Sequence, residues 1–232
     1  ITGTDYYRSG LFSPGTVMLQ PAAYIRGLYQ GLKSRIRLYE CSPAQSFQRA
    51  GSSWRMQTSE GSLDCGKIIL AVNGHAESFG FFKRRLMHVF TYASMSRTMS
   101  KRQSGALGGQ ASWSRTPADP MGVTVRKLSG PGSAGERILV RSRFTYDPSM
   151  KPGKGRLKSV AARHDRQFRA RFPKLDDLAM EYCSAGQLCL SRNAVPSFDE
   201  VDNNNYSDVC KNGHGQTRCT LSGKAAADLA ED

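Results

Sequence analysis

Residues 67–72 read KIILAV, a run that is apolar on both alternating faces. A strand with one wet face alternates apolar with polar residues. This run therefore predicts a strand covered on both sides, as in an open α/β sheet. Asn73-Gly74 ends it in a tight exit. Before it, LQPAAYIRGLYQGLKSR sets Pro21 near the first helical position and places Ala22, Ile25, Leu28, Tyr29 and Leu32 on one face. IRLYECSP reads as a short strand, SFQRAG and WRMQTSEG as turns, and SLDCGKIILAVNG as the close of a β-meander.

From about residue 80 the texture becomes β-rich, with VFTYASMSR, GVTVRKL and ERILVRSRFTY. Between the last two lies SGPGSAGE, whose Gly130, Gly132 and Gly135 spell G-x-G-x-x-G, the dinucleotide fingerprint. Those glycines cradle a pyrophosphate only where a strand runs into a helix N-terminus. Here the next segment alternates Ile138, Val140 and Ser142 with Leu139, Arg141 and Arg143, which predicts a second strand. Pro131 also restricts the turn, and the loop reads as a β-hairpin connection.

DPSMKPGKGR leads to LKSVAARHDRQFRARFP, a helix with Leu157, Val160, Ala161, His164, Phe168 and Phe172 on or near one face and Pro173 at its end. MEYCSAGQLCLSRNAVPSF is strand-like with Gly and Pro breaks, and EVDNNNYSD is an Asn-rich turn. The last segment, DVCKNGHGQTRCTLSGKAAADLAED, predicts a short strand, a glycine turn around His214, and a helix carrying Leu221, Ala225 and Leu229 on one face. A glycine turn into a helix start presents unpaired N–H groups and a positive dipole end. That suits a phosphate, a carboxylate or an anionic ring oxygen, with an ordinary capped helix as the alternative.

Composition narrows the classes. The six cysteines contain no C-x-x-C and the four histidines are scattered, so reduced thiols and no metal site are expected. The net charge of +14 is spread over many short segments without a stripe of basic and aromatic residues, which predicts a solvated basic surface and no nucleic-acid binding. No run approaches the ~18 apolar residues of a transmembrane helix. The opening ITGTDYYRSG lacks the basic start and apolar stretch of a signal peptide, and it begins without methionine, as though entered mid-protein. A cytoplasmic location is expected.

Four segments, GTVMLQPAAYIRGL, LYECSPAQSF with GSLDCGKIILAVNG, FPKLDDLAMEYCSAGQLCLSRNAVPSF and CKNGHGQTRCTLSGKAAADLA, follow one another over nearly the whole chain. In that order the chain resembles the FAD-dependent oxidoreductases of the D-amino-acid oxidase and glycine oxidase family, most nearly the branch that includes gamma-glutamylputrescine oxidase. The resemblance covers the later part of that family's chain. It implies an α+β protein: an α/β FAD-binding part plus a β-rich substrate domain. Residues 1–79 would belong to the FAD-binding domain, 80–174 to the substrate domain, and 175–232 to the FAD-binding domain again. The fingerprint-bearing amino-terminal half is expected in a segment or chain outside these residues.

The resemblance also implies roles. Pro43, Ala44 and Gln45 would lie where the family's chain passes the adenine. Ala71, Val72, Asn73 and Gly74 would approach the phosphate side of FAD, where a small residue lets the backbone come close. Asn212, Gly213, His214, Gly215, Gln216 and Thr217 would set backbone N–H groups at the flavin's pyrimidine edge, the His214 side chain being either involved or simply exposed. Tyr92 and Arg97 match the strand that crosses above the flavin, as pocket residues or as packing. The family's carboxylate-clamping arginine falls on Leu188, which cannot make a bidentate contact; Arg192 stands nearby. The implied reaction is C–N bond oxidation of an amine or amino-acid derivative by hydride transfer to flavin, needing no protein nucleophile. The alternative is a non-catalytic basic module that has lost its nucleotide-binding half.

Overall fold

The computed structural model describes residues 1–130, 135–151 and 153–231. In chain order its elements begin with α1 (Pro21–Leu32), β1 (Ser46–Ala50), β2 (Ser53–Gln57), β3 (Ser62–Cys65), β4 (Ile68–Leu70), β5 (Leu86–Ser96) and α2 (Lys101–Leu107). They continue with β6 (Trp113–Arg115), β7 (Thr124–Leu128), β8 (Arg137–Tyr146), α3 (Lys154–Arg171), β9 (Met180–Ser191), β10 (Ser197–Asp202), β11 (Asn205–Val209) and α4 (Gly215–Glu231). This is the expected mixture of helix and sheet. It divides into two compact units, one of residues 1–24 and 89–187, the other of residues 25–88 and 188–232. Among the described residues no helix is long and apolar enough to cross a membrane.

The first unit is built on a five-stranded sheet in the order β6-β7-β8-β5-β9. β7 and β8 pair antiparallel, from Thr124 against Arg141 to Leu128 against Arg137. The segment SGPGSAGE therefore joins two strands of a hairpin, although residues 131–134 at its centre lie outside the described residues. α3 packs its predicted face down: Val160, His164 and Phe168 are fully buried and Phe172 nearly so, Phe168 and Phe172 in one core with Ile138, Val140, Val125 and Trp113, and Val160 in another with Phe90 and Tyr92. α2 goes unpredicted, yet its start is encoded. Ser100 accepts the Gln103 N–H while Gln103 accepts from the Ser100 backbone, a reciprocal cap.

The second unit holds two three-stranded sheets, β1-β2-β3 and β10-β11-β4. Here three expectations are corrected. IRLYECSP forms no strand; the ladder starts only at Gln45, whose N–H donates to Gln57 O at 2.8 Å, so the earlier residues have no partner row. SFQRAG and WRMQTSEG contribute β1 and β2, joined by a two-residue loop in which Gly51 takes φ 67°. Their polar outer residues hide the alternation that puts Phe47 against Met56. Finally, β4 is not covered on both sides: Leu70 is buried, but Ile69 is 42% exposed. β4 stands at the margin of its sheet among the described residues, with only β11 beside it.

α1 and α4 depart from their patterns as well. α1 begins where Pro21 fits, and Gln20 Oε1 accepts the Ala23 N–H at 2.6 Å, yet no α1 residue is buried. In α4, Leu221 is 71% exposed while Ala226 and Ala230 are buried. The helix turns its small residues toward the sheet because alanines allow close approach and Ser222 bonds to Asp208 on β11 at 3.0 Å.

His164 is the buried polar centre of the first unit. Ser94 Oγ lies 2.8 Å from its Nδ1, Ser142 Oγ lies 3.1 Å from its Nε2, and Ser142 Oγ donates to Gln167 Oε1 at 2.9 Å. Burial, reinforced by the Arg163 charge, holds the imidazole below its ordinary pKa. The unfolded chain thus takes up a proton before the folded one, and stability falls as pH drops below about 6.5 toward the folded value. The Tm gap between the protein and His164→Asn should narrow between neutral pH and pH about 5.5, as read by thermal melts across that range. An unchanged gap would show that folding leaves the His164 pKa where it is in the unfolded chain.

Candidate functional site

β4 and β11 run parallel, with Ile68, Ile69 and Leu70 against Asn205, Tyr206 and Ser207. Their carboxyl ends release the chain into two neighbouring turns, the place where open α/β sheets bind ligands. After β4, Ala71 and Val72 lead into Asn73, which takes a left-handed conformation (φ 50°) and starts a 3-10 turn over Asn73–Phe79. After β11, Cys210 (φ 62°), Asn212 (φ 51°) and Gly213 (φ 85°) turn the chain into α4. Asparagine tolerates this region because its short amide bonds locally. Here both amides do more. Asn73 Oδ1 accepts the Cys210 N–H at 3.3 Å, joining the two turns. Asn212 Oδ1 accepts the Ser191 N–H at 2.8 Å and its Nδ2 donates to Ser191 Oγ at 3.2 Å, fixing the turn to the end of β9.

α4 is anchored at the mouth of this turn. Asp208 on β11 is buried and receives both the Lys211 ammonium and, at 3.0 Å, the Ser222 hydroxyl, so the residues between are clamped at each end. At the other end of α4, Lys67 donates to Ala230 O, a cation on the carbonyl end of the helix dipole. The Arg218 N–H bonds to His214 O at 3.1 Å, which opens the helical ladder. The N–H groups of Gly215, Gln216 and Thr217 consequently have no carbonyl one turn earlier to bond. They form a donor set at the positive end of a 17-residue helix, suited to an anionic or electron-rich edge.

Beneath the first turn, Gly74 is buried against His88. A Cβ on Gly74 would lie 2.8 Å from His88 Nδ1 and 2.9 Å from Cε1. The other ring nitrogen, Nε2, lies 2.6 Å from Glu77 Oε2, and Glu77 Oε1 accepts the Arg84 N–H at 2.9 Å. Cys189 and Cys210 are also buried here, in a cluster with Ala76 and Val209. The neighbouring Cys210 thiol, and then burial, push the Cys189 thiol well up, so it stays protonated at neutral pH.

Of the residues singled out from sequence, Ala71, Val72, Asn73 and Gly74 leave β4 in one turn and Asn212, Gly213, His214 and Gly215 follow β11 in the other, the two turns being joined by the Cys210 N–H on Asn73 Oδ1. His214 is exposed, and its N–H bonds to Lys211 O at 3.1 Å. Thr217 is exposed on the first turn of α4. Ala44, half-buried, lines an apolar cavity of about 300 Å³ with Phe47, Leu63, Ile68 and Val72, so the structure brings it to the same cavity as one residue of the β4 exit. Tyr92 lies in the first unit, fully buried, its hydroxyl 2.6 Å from Thr145 Oγ1; Arg97, also there, is exposed and its N–H bonds to Ala179 O at 2.9 Å. Arg192 is exposed in the second unit, and Leu188 is half-buried on β9. The His88–Glu77 pair was missed, since 11 residues separate the two and neither stands in a motif.

Residues 2–229 match the family model described as DAO, FAD dependent oxidoreductase. "Probable oxidoreductase OrdL" of Haemophilus influenzae is 22% identical over 232 residues, which is 97% of this chain and 50% of that protein. Glycine oxidase from Geobacillus kaustophilus superposes with a TM-score of 0.63 at 15% identity, over 84% of this chain and 49% of its own. L-proline dehydrogenase from P. horikoshii gives 0.65 at 17%, over 89% and 54%. The chain spans about half the length of these relatives, and the solved structures share its fold.

The approach of Gly74 to His88 yields a direct test of this arrangement. Gly74→Ala should cost about 1–3 kcal/mol of stability by overpacking, measured by urea denaturation. Adding His88→Ala should recover part of it, and a strictly additive double variant would refute the contact.

Proposed function

The chain belongs to the DAO family of FAD-dependent oxidoreductases, and on that premise we propose that it forms the carboxyl-terminal part of an enzyme oxidising the C–N bond of an amine or amino-acid derivative. The observation that carries this reading is the junction of the β4 and β11 ends with the N–H groups that open α4. When bound, FAD supplies the hydride acceptor, a role no side chain can fill.

The residues present fit one part of that cofactor. The N–H groups of Gly215, Gln216 and Thr217 would hold the pyrimidine edge of the flavin, and the dipole of α4 would favour the negative charge that accompanies reduction. Ala71 and Val72, with small or no polar bulk, would let the backbone come near the phosphate side, and the Ala44 segment would pass the adenine. Asn73 and Asn212, beside the cofactor in this reading, would also hold the two turns in place through their amides. The pyrophosphate cradle is a different matter. The G-x-G-x-x-G letters lie between paired strands, so we assign that cradle to a polypeptide segment outside these 232 residues.

The substrate is an amine whose reacting carbon must face the flavin while water is kept out. Leu188 occupies the position at which the family resemblance places a carboxylate clamp, so a plain α-amino acid lacks its usual bidentate partner. This favours an amine, or a substrate whose carboxylate is held elsewhere. Tyr92, Arg97 and Arg192 remain the candidates for shaping the substrate's surroundings.

The protein in its full native assembly should purify yellow, and its flavin absorbance should bleach under anaerobic conditions with an amine faster than with glycine or alanine. A colourless preparation that takes up no added FAD would sink the proposal. So would flavin that no amine reduces, which is the outcome expected of a basic module without catalytic function.

A further inference from the structure

A second cavity of about 630 Å³ opens in the same unit, beside the turn that carries Cys210. Phe82, Leu86 and Pro196 give it apolar walls, and among the described residues Arg85 and Arg192 are the charged ones that line it. The Arg192 N–H donates to Arg85 O at 3.0 Å, so the backbone stretches bearing the two arginines are locked together. No ion pair among the described residues engages either guanidinium.

The backbone around the cavity is held in an unusual way. Phe82 (φ 56°), Arg84 (φ 63°), Ala194 (φ 59°) and Cys210 (φ 62°) all sit in the left-handed region without being glycine. Such residues are strained, persist only where their surroundings over-determine them, and collect at ligand sites. Here they cluster on the two segments and the turn that shape one cavity.

We infer that this cavity is a carboxylate subsite: it takes a short aliphatic chain that ends in a carboxylate, whose oxygens are gripped by Arg85 and Arg192. Two guanidinium groups that line one cavity, neither in an ion pair among the described residues, leave it a surplus of positive charge that an anion would neutralise. Their forked donors match a carboxylate's two oxygens. The apolar walls suit the methylene chain, whereas a bare phosphate would leave them without a partner. The inference rests on the amine-oxidising reading above and deepens it: with Leu188 at the clamp position, the substrate's carboxylate is held here instead.

Calorimetric titration of the holoprotein with glutarate, a five-carbon dicarboxylate, tests the subsite without turnover. Saturable binding is expected, weakened roughly tenfold or more by Arg85→Gln and by Arg192→Gln, since each removes charge-assisted hydrogen bonds. Arg192→Lys should retain part of it. Arg163→Gln, on α3 in the other unit, should leave it unchanged. Both arginines are exposed, so the variants should keep the native circular dichroism spectrum. The inference is overturned if glutarate does not saturate, if neither glutamine variant weakens it, or if pyrophosphate binds there more tightly, which would mark a cofactor-phosphate site. The flavin spectrum of the same samples separates the two proposals. A colourless protein that binds glutarate through these arginines loses only the oxidoreductase reading, and a yellow, reducible protein indifferent to glutarate loses only the subsite.

Discussion

Three residues of β4 lying parallel to three of β11 hold the candidate site together, and everything functional in the second unit is arranged around that short ladder. Parallel strands cannot be joined by a tight turn, so their pairing brings together parts of the chain that are distant in sequence. The ladder alone would fix only direction. What fixes position is the amide of Asn73, which takes the N–H of Cys210 and so sets one turn against the other. Asp208 then receives Lys211 and Ser222 from either side of the second turn and sets the start of α4. The carboxylate and ammonium are both buried, and an ion pair of this kind specifies an arrangement more than it stabilises one.

The first unit follows a different logic. Its core polar groups are closed on one another. Ser94 and His164 have the spacing of a nucleophile and its base, but the second imidazole nitrogen meets the Ser142 hydroxyl rather than a carboxylate, and His164 is fully buried. A base that no substrate can reach, and whose neutral form the burial favours, positions α3 on the sheet. The chemistry proposed for this protein accordingly needs nothing from that network except a rigid sheet.

Strong periodicity made part of this structure legible in the sequence. α3 could be read because Val160, His164, Phe168 and Phe172 recur at helical spacing, and the hairpin around SGPGSAGE because Ile138, Val140 and Ser142 alternate. The paired turns were legible from Asn73-Gly74 and Asn212-Gly213, whose chemistry demands unusual backbone angles. What escaped was set by tertiary context. β1 and β2 carry mostly polar residues and exist because each has a partner row. Leu221 looked like the buried face of α4 until Ser222 and the alanines claimed the contact with β11. IRLYECSP has strand-forming residues and no partner strand among the described residues. The His88–Glu77 pair and the two arginines of the cavity are brought together by chain folding alone, with no local pattern to announce them.

The β4–β11 ladder also sets a timetable. Asn205, the partner of Ile68, is synthesised only after the 136 residues between them, 99 of which (89–187) belong to the first unit. At the ordinary pace of translation the wait is on the order of ten to thirty seconds. Throughout it the strand IIL lacks its β11 row, although its neighbours β1, β2 and β3 can close locally as hairpins within microseconds. A nascent chain in that state presents an apolar strand with open hydrogen-bonding groups, the kind of segment that holding chaperones capture and that captures other copies of itself when they are absent. The exposed state of β4 thus lasts until β11 follows, after the whole 89–187 stretch of the first unit has been made.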